Sequence, residues 1–235
     1  MPRALKVLLT MLVVLSAIGT GCSPKEAAAP AEPAASAFAA KVAEADAAME
    51  AGDAMKAFDL YTEALKMPDA ADTDGSVAER QNLAKHTYIA RNTLAKSPSE
   101  FDPEPYITII ADHSVAETET AEAKRLLVAF FTTQSGAVRR DVKELQGLIR
   151  ADKSFESPHS AYMAESMGEN WTKAFSVLDG DFGDQANEAL VLLVKAGTET
   201  NAVMDEKWAE DCLAHLGVAE DTLDRLDKLL AGMQP

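Results

Sequence analysis

Residues 45–68 read ADAAMEAGDAMKAFDLYTEALKMP, two runs without Pro joined at Gly52-Asp53, and this stretch decides the fold. Gly52 permits a tight turn between two helices because it adopts positive φ without steric cost. Ala57 and Ala64 are small enough to let two helices approach closely, and Tyr61 is large enough to fill the gap between neighbouring hairpins. Outward from this hairpin, apolar residues keep helical spacing almost without interruption from Phe38 onward. Val138, Val142, Leu145 and Ile149 form one stripe; Met204, Trp208, Cys212 and Leu216 a second; Leu223, Leu226, Leu230 and Met233 a third. The chain therefore reads as all-α.

The quoted stretch resembles a tetratricopeptide repeat. Gly52, Ala57, Tyr61, Ala64, Leu65 and Pro68 occupy that family's turn, crossing, gap-filling and terminating places, Pro68 one position early. Ala45 stands at the small place of the first helix, whose earlier large aromatic is missing. The resemblance implies stacked helical hairpins that present a groove to a protein or peptide. Such a hairpin cannot bury both its faces, so a 34-residue period is expected to recur. Adding that period lands on His86, Arg91, Ala95 and Pro98, of which only Ala95 fits loosely, although Gly168 to Phe175 echoes Gly52 to Phe58 with one extra residue. One repeat-like hairpin, degenerate repeats throughout and an unrelated bundle all remain open.

Periodicity places about ten helices, near 38–51, 53–67, 76–96, 103–112, 117–134, 136–151, 158–178, 184–196, 200–216 and 219–232. Ser76 to Glu79 reads as a capping box, Ser157-Pro158 and Asp102-Pro103 as helix starts, and Gly217 as a stop between the last two helices. Tyr106 to Ile110 is rich in β-branched residues, but a lone strand would have no partner, so it is assigned helix. The hairpin region spans 38–99, with a second helical region over 100–235 packed on it.

The N-terminus carries an address. Arg3 and Lys6 precede a run of twelve uncharged, largely apolar residues, Val7 to Ile18. A spanning helix needs roughly 20 residues, so the run suits a signal peptide better than a membrane anchor. Gly19-Thr20-Gly21-Cys22 follows, and it resembles the lipobox of bacterial lipoproteins, with Gly19 where that family prefers Leu. The resemblance implies cleavage of residues 1–21, lipidation of Cys22 and residence on the cell envelope, facing the periplasm or exterior. Ordinary secretory cleavage after Gly21, or near Ala35 to Ala37, is the alternative. Residues 22–37, mostly Ala, Pro and Glu, have little to bury and read as a tether.

Cleavage would leave 214 residues carrying 20 basic and 38 acidic side chains, which should repel nucleic-acid phosphates. With Cys22 acylated, Cys212 would have no disulfide partner. Chemistry is sparsely signalled. Asp211, Cys212 and His215 lie close along one predicted helix, but Cys212 falls on an apolar stripe, so a buried thiol is favoured over a metal ligand. Asp179 to Asp184 and Asp72 to Gly75 are incomplete calcium loops, better read as helix caps. The four histidines, 86, 113, 159 and 215, are scattered, with His113 and His159 expected to be exposed. Arg139, Arg140 and Lys143 suit pairing with acidic helices. The sequence thus points to a non-catalytic, membrane-anchored scaffold for a protein or peptide, with no cofactor and no metal; the alternatives are small-ligand or ion binding and, after these, a motif-poor hydrolase.

Overall fold

The computed structural model describes residues 36–96 and 102–233, so the signal segment, Cys22 and nearly all of the tether lie outside the described residues, as does Pro98. Among the described residues there are eight α-helices, one 3-10 turn and no strand. The assignment of Tyr106 to Ile110 to a helix holds.

Helices α1 (Ala37–Glu50) and α2 (Ala54–Leu65) form the expected hairpin about Gly52, whose φ is +82°. Ser36 Oγ accepts the Ala39 N–H at 3.1 Å and Asp53 Oδ1 the Lys56 N–H at 3.1 Å, so a side chain caps each helix. Helix α3 (Ser76–Leu94) begins differently from the expected capping box. Ser76 is already helical, and the N–H groups of Val77 and Ala78 donate to the Asp72 carboxylate at 3.0 and 3.1 Å, while Ser76 N–H donates to Asp74 at 3.1 Å. Asp72 and Asp74 are thus helix caps. Tyr61 Oη donates to Asp46 at 2.6 Å, and Arg80 reaches the same carboxylate at 3.0 Å, which binds α1, α2 and α3 together.

Helix α4 (Glu104–Ala111) starts where Asp102 accepts the Glu104 N–H at 3.0 Å. Helix α5 (Glu117–Arg150) is one element of 34 residues where two were expected. Leu127, Phe131, Gln134, Val138, Val142, Leu145 and Ile149 continue one buried stripe straight through Gly136. A mid-helix glycine costs about 1 kcal/mol, which this burial offsets. Helix α6 (His159–Phe175) takes its cap from outside: the Ala161 N–H donates to Asp141 of α5 at 3.0 Å, and Ser157 makes no cap.

Helix α7 (Gly180–Ala202) and helix α8 (Ala209–Gly232) replace three expected helices. The chain turns at Val203–Asp205, a 3-10 turn, and Gly217 lies inside α8 with open space where its Cβ would be. Nothing at Gly217 demands positive φ, so it does not stop the helix. Because α8 starts at Ala209, Met204 and Trp208 leave the expected stripe and face solvent, Trp208 at 72% exposure, while Cys212 and Leu216 stay buried.

Three apolar clusters fill the interior. One packs α1, α2 and α3 through Ala45, Ala57, Tyr61, Ala64 and Ala84. A small one joins α3, α4 and α5 through Ala90, Ile109, Val115 and Ala123. The largest lies among α4 to α8. Helix α5 touches α3, α4, α6, α7 and α8, a bundle-like arrangement about one long axis, whereas a repeat in a stack touches only its neighbours. The echo at Gly168 is not a hairpin turn: Gly168 sits within α6, against Val194.

Glycine separates structural from incidental positions here. A Cβ on Gly197 would lie 2.7 Å from Ala161 O and from Glu165 N, both backbone atoms of α6. Gly197→Ala should therefore destabilise the protein by about 1–3 kcal/mol through overpacking, whereas Gly217→Ala should be neutral or stabilising by up to about 1 kcal/mol. Urea denaturation of the two variants checks both signs.

Candidate binding cleft

Helices α3 and α4 meet along a line that α3 supplies with His86, Ile89, Ala90 and Thr93, and α4 with Glu104, Pro105, Thr108 and Ile109. Both sets follow the three- and four-residue spacing of a single helix face. Helix α4 is too short to cover its neighbour fully, and it ends at Asp112 in extended backbone. An open cleft of about 250 Å³ remains, and Asp112 and Val115 complete its lining. Ile89, 52% exposed, stands at its edge.

The wall formed by α3 is anchored from behind. Thr87, fully buried, accepts the Ala116 N–H at 3.0 Å, which joins α3 to the approach of α5. Arg91 Nε donates to Glu119 of α5 at 2.5 Å, and its Nη1 donates to the Gly52 carbonyl. One arginine thereby ties the α1–α2 turn to α5 across α3.

The polar feature of the cleft is a pair. Asp112 Oδ2 lies 2.5 Å from His86 Nδ1, and Asp112 Oδ1 accepts the Ser114 N–H at 2.9 Å. Burial acts to raise the Asp112 pKa, but the bonds from His86 and Ser114 outweigh it and hold the carboxyl below its ordinary 3.8. With the Asp112 carboxyl ionised, the bond is one that His86 Nδ1 donates and Asp112 Oδ2 accepts. The cleft walls carry threonine hydroxyls and no Ser or Cys, so the nucleophile–base arrangement of a serine or cysteine hydrolase is not assembled there. Among the described residues no group of three or more His, Cys, Asp or Glu is arranged to hold a metal ion.

The residues singled out in sequence fall elsewhere. Ala57, Tyr61 and Ala64 are buried between α1, α2 and α3, Leu65 is half-buried, Gly52 makes the turn and Pro68 lies exposed after α2. They build the hairpin and do not reach the cleft. Cys22 is outside the described residues. Arg139 pairs with Asp224 and Asp227 of α8 at 3.0 and 2.7 Å, an acidic helix as expected. Cys212 and His215 do not act together: the thiol is buried 3.8 Å from the Val203 carbonyl, whereas His215 Nδ1 meets Glu199 of α7 at 2.8 Å and its Nε2 meets Glu206 at 3.4 Å. His86 and Asp112 carry no mutual signal in sequence, being 26 residues apart on different elements.

No protein-family model, no curated protein and no solved structure matches the chain.

The His215 contacts predict a pH dependence. The Glu199 bond, aided by Glu206 and opposed by burial, raises the His215 pKa above 6.5. A raised folded-state pKa stabilises fully below the unfolded value, and that contribution is lost as pH rises through the folded value. Urea midpoints should fall as pH rises above 6.5, and His215→Gln should flatten that fall. An unchanged slope in the variant would assign the dependence to other groups.

Proposed function

We propose that this chain is a lipid-anchored protein of the bacterial cell envelope, held to a membrane through Cys22, whose helical body binds a protein or peptide partner and catalyses no reaction. The anchor reading is supported by Arg3 and Lys6, the short apolar run Val7 to Ile18, the small residues before Cys22 and the tether after it. Acyl chains contribute about 0.8 kcal/mol per buried methylene, so a multiply acylated cysteine would hold the protein without a spanning helix. No helix among the described residues is long and apolar enough to cross a membrane.

The α3–α4 cleft carries the binding reading. It is open, its lining surface is mainly apolar, and it is backed by helices that Thr87 and Arg91 fix in place. These properties suit a side chain of another polypeptide entering from solvent. The α1–α2 hairpin, which resembles a tetratricopeptide unit, would brace that surface. The His86–Asp112 pair favours the second reading, a small ligand held by a hydrogen bond to His86.

Two experiments test the proposal. Cys22→Ala should move the protein from the membrane to the soluble fraction, and a variant still sedimenting with membranes would overturn the anchor. A photo-crosslinking residue at Ile89 should give discrete protein adducts in envelopes, absent when the same residue replaces Val177, exposed at 54% beyond α6. Absence of adducts at Ile89 would overturn the scaffold reading.

A further inference from the structure

We infer that the α3–α4 cleft takes a basic, apolar peptide segment, an aliphatic side chain entering between the helices with a neighbouring lysine or arginine seated on Glu104. This rests on the scaffold reading and adds the chemistry of the partner. The aliphatic requirement follows from the walls: Ala90, Ile109 and Val115 form a buried floor, and Ile89 offers an exposed apolar edge, uncovered among the described residues.

The basic requirement follows from the charges at the cleft. His86 and Asp112 engage each other at 2.5 Å, which leaves Glu104 as the lining charge with no ion pair among the described residues. It sits exposed in the first turn of α4, where a partner can reach it. Lys85, the exposed lysine of α3, and Lys96, exposed just past its end, do not line the cleft. The chain as a whole carries −16, so its long-range field draws the same class of partner. Glu104 then supplies the local selection that a diffuse field cannot.

Fluorescence anisotropy of the full chain with three labelled hexapeptides separates these contributions. In each peptide leucine alternates with a second residue, which is lysine, glutamine or glutamate. The expected order of affinity is lysine, then glutamine, then glutamate. Ile89→Ser should weaken all binding, and Glu104→Lys should weaken the lysine peptide about tenfold while strengthening the glutamate peptide. Glu188→Lys, an exposed position on α7, changes the net charge equally and should leave the order intact. If the three peptides bind equally and remain sensitive to Ile89→Ser, the inference is overturned and the scaffold reading stands. If the lysine peptide binds but Glu104→Lys and Glu188→Lys weaken it alike, bulk charge alone is responsible and the inference also fails. Binding of none of the peptides overturns the inference and the use of this cleft for peptides together.

Discussion

A carboxylate nearly enclosed by protein must be met by a cation and by hydrogen-bond donors, or the protein would be more stable with it protonated or removed. Glu119, with its side chain 8% exposed near the start of α5, is met by both: Arg91 Nε at 2.5 Å and Thr118 Oγ1 at 2.7 Å. Because the same arginine reaches the carbonyl of Gly52, this one charge sets where the α1–α2 turn, α3 and α5 lie relative to each other. The rotation of α3 about its axis follows from it. That rotation decides that Ala84 and Ala90 face the interior while His86 and Ile89 face the cleft.

Small residues carry much of the remaining packing. Ala45, Ala57, Ala64 and Ala84 are fully buried at the crossings of the first three helices, and Ala161, Ala164, Ala186, Ala189 and Ala196 play the same part in α6 and α7. Alanine loses no side-chain entropy on burial and keeps backbones close, so dispersion contacts between backbones substitute for bulky side chains. Three phenylalanines meet in the largest cluster: Phe131 packs between Phe130 and Phe175 at centroid separations of 5.6 and 5.5 Å.

The all-helical class was legible in the sequence because it rests on periodicity, which is local. The Gly52 turn and the burial of Ala57, Tyr61 and Ala64 were legible for the same reason. Helix number was not. The division expected between residues 134 and 136 and the stop expected at Gly217 do not occur: a glycine ends a helix only where the backbone must turn, and α5 and α8 run on through Gly136 and Gly217. The real corner, Val203 to Trp208, has no glycine or proline, and His215 helps to hold it by bonding Glu199 before the corner and meeting Glu206 within it. The cap of α6 was hidden because its acceptor, Asp141, comes from another helix. The cleft was hidden because His86, Glu104 and Asp112 share no spacing rule; only the docking of two helices brings them together.

Cys212 shows what the shape of that corner implies for covalent chemistry. With Cys22 acylated, as proposed, it is the one thiol of the chain, and it lies buried where α8 leaves the corner, its pKa pushed up by burial and by the charge of Glu206. A thiol kept protonated and out of solvent reacts slowly with alkylating reagents. Its modification must wait until α8 parts from Val203, so labelling reports how often the last helix detaches. The protein thus contains its own clock for local opening, at a point far along the chain from the proposed anchor.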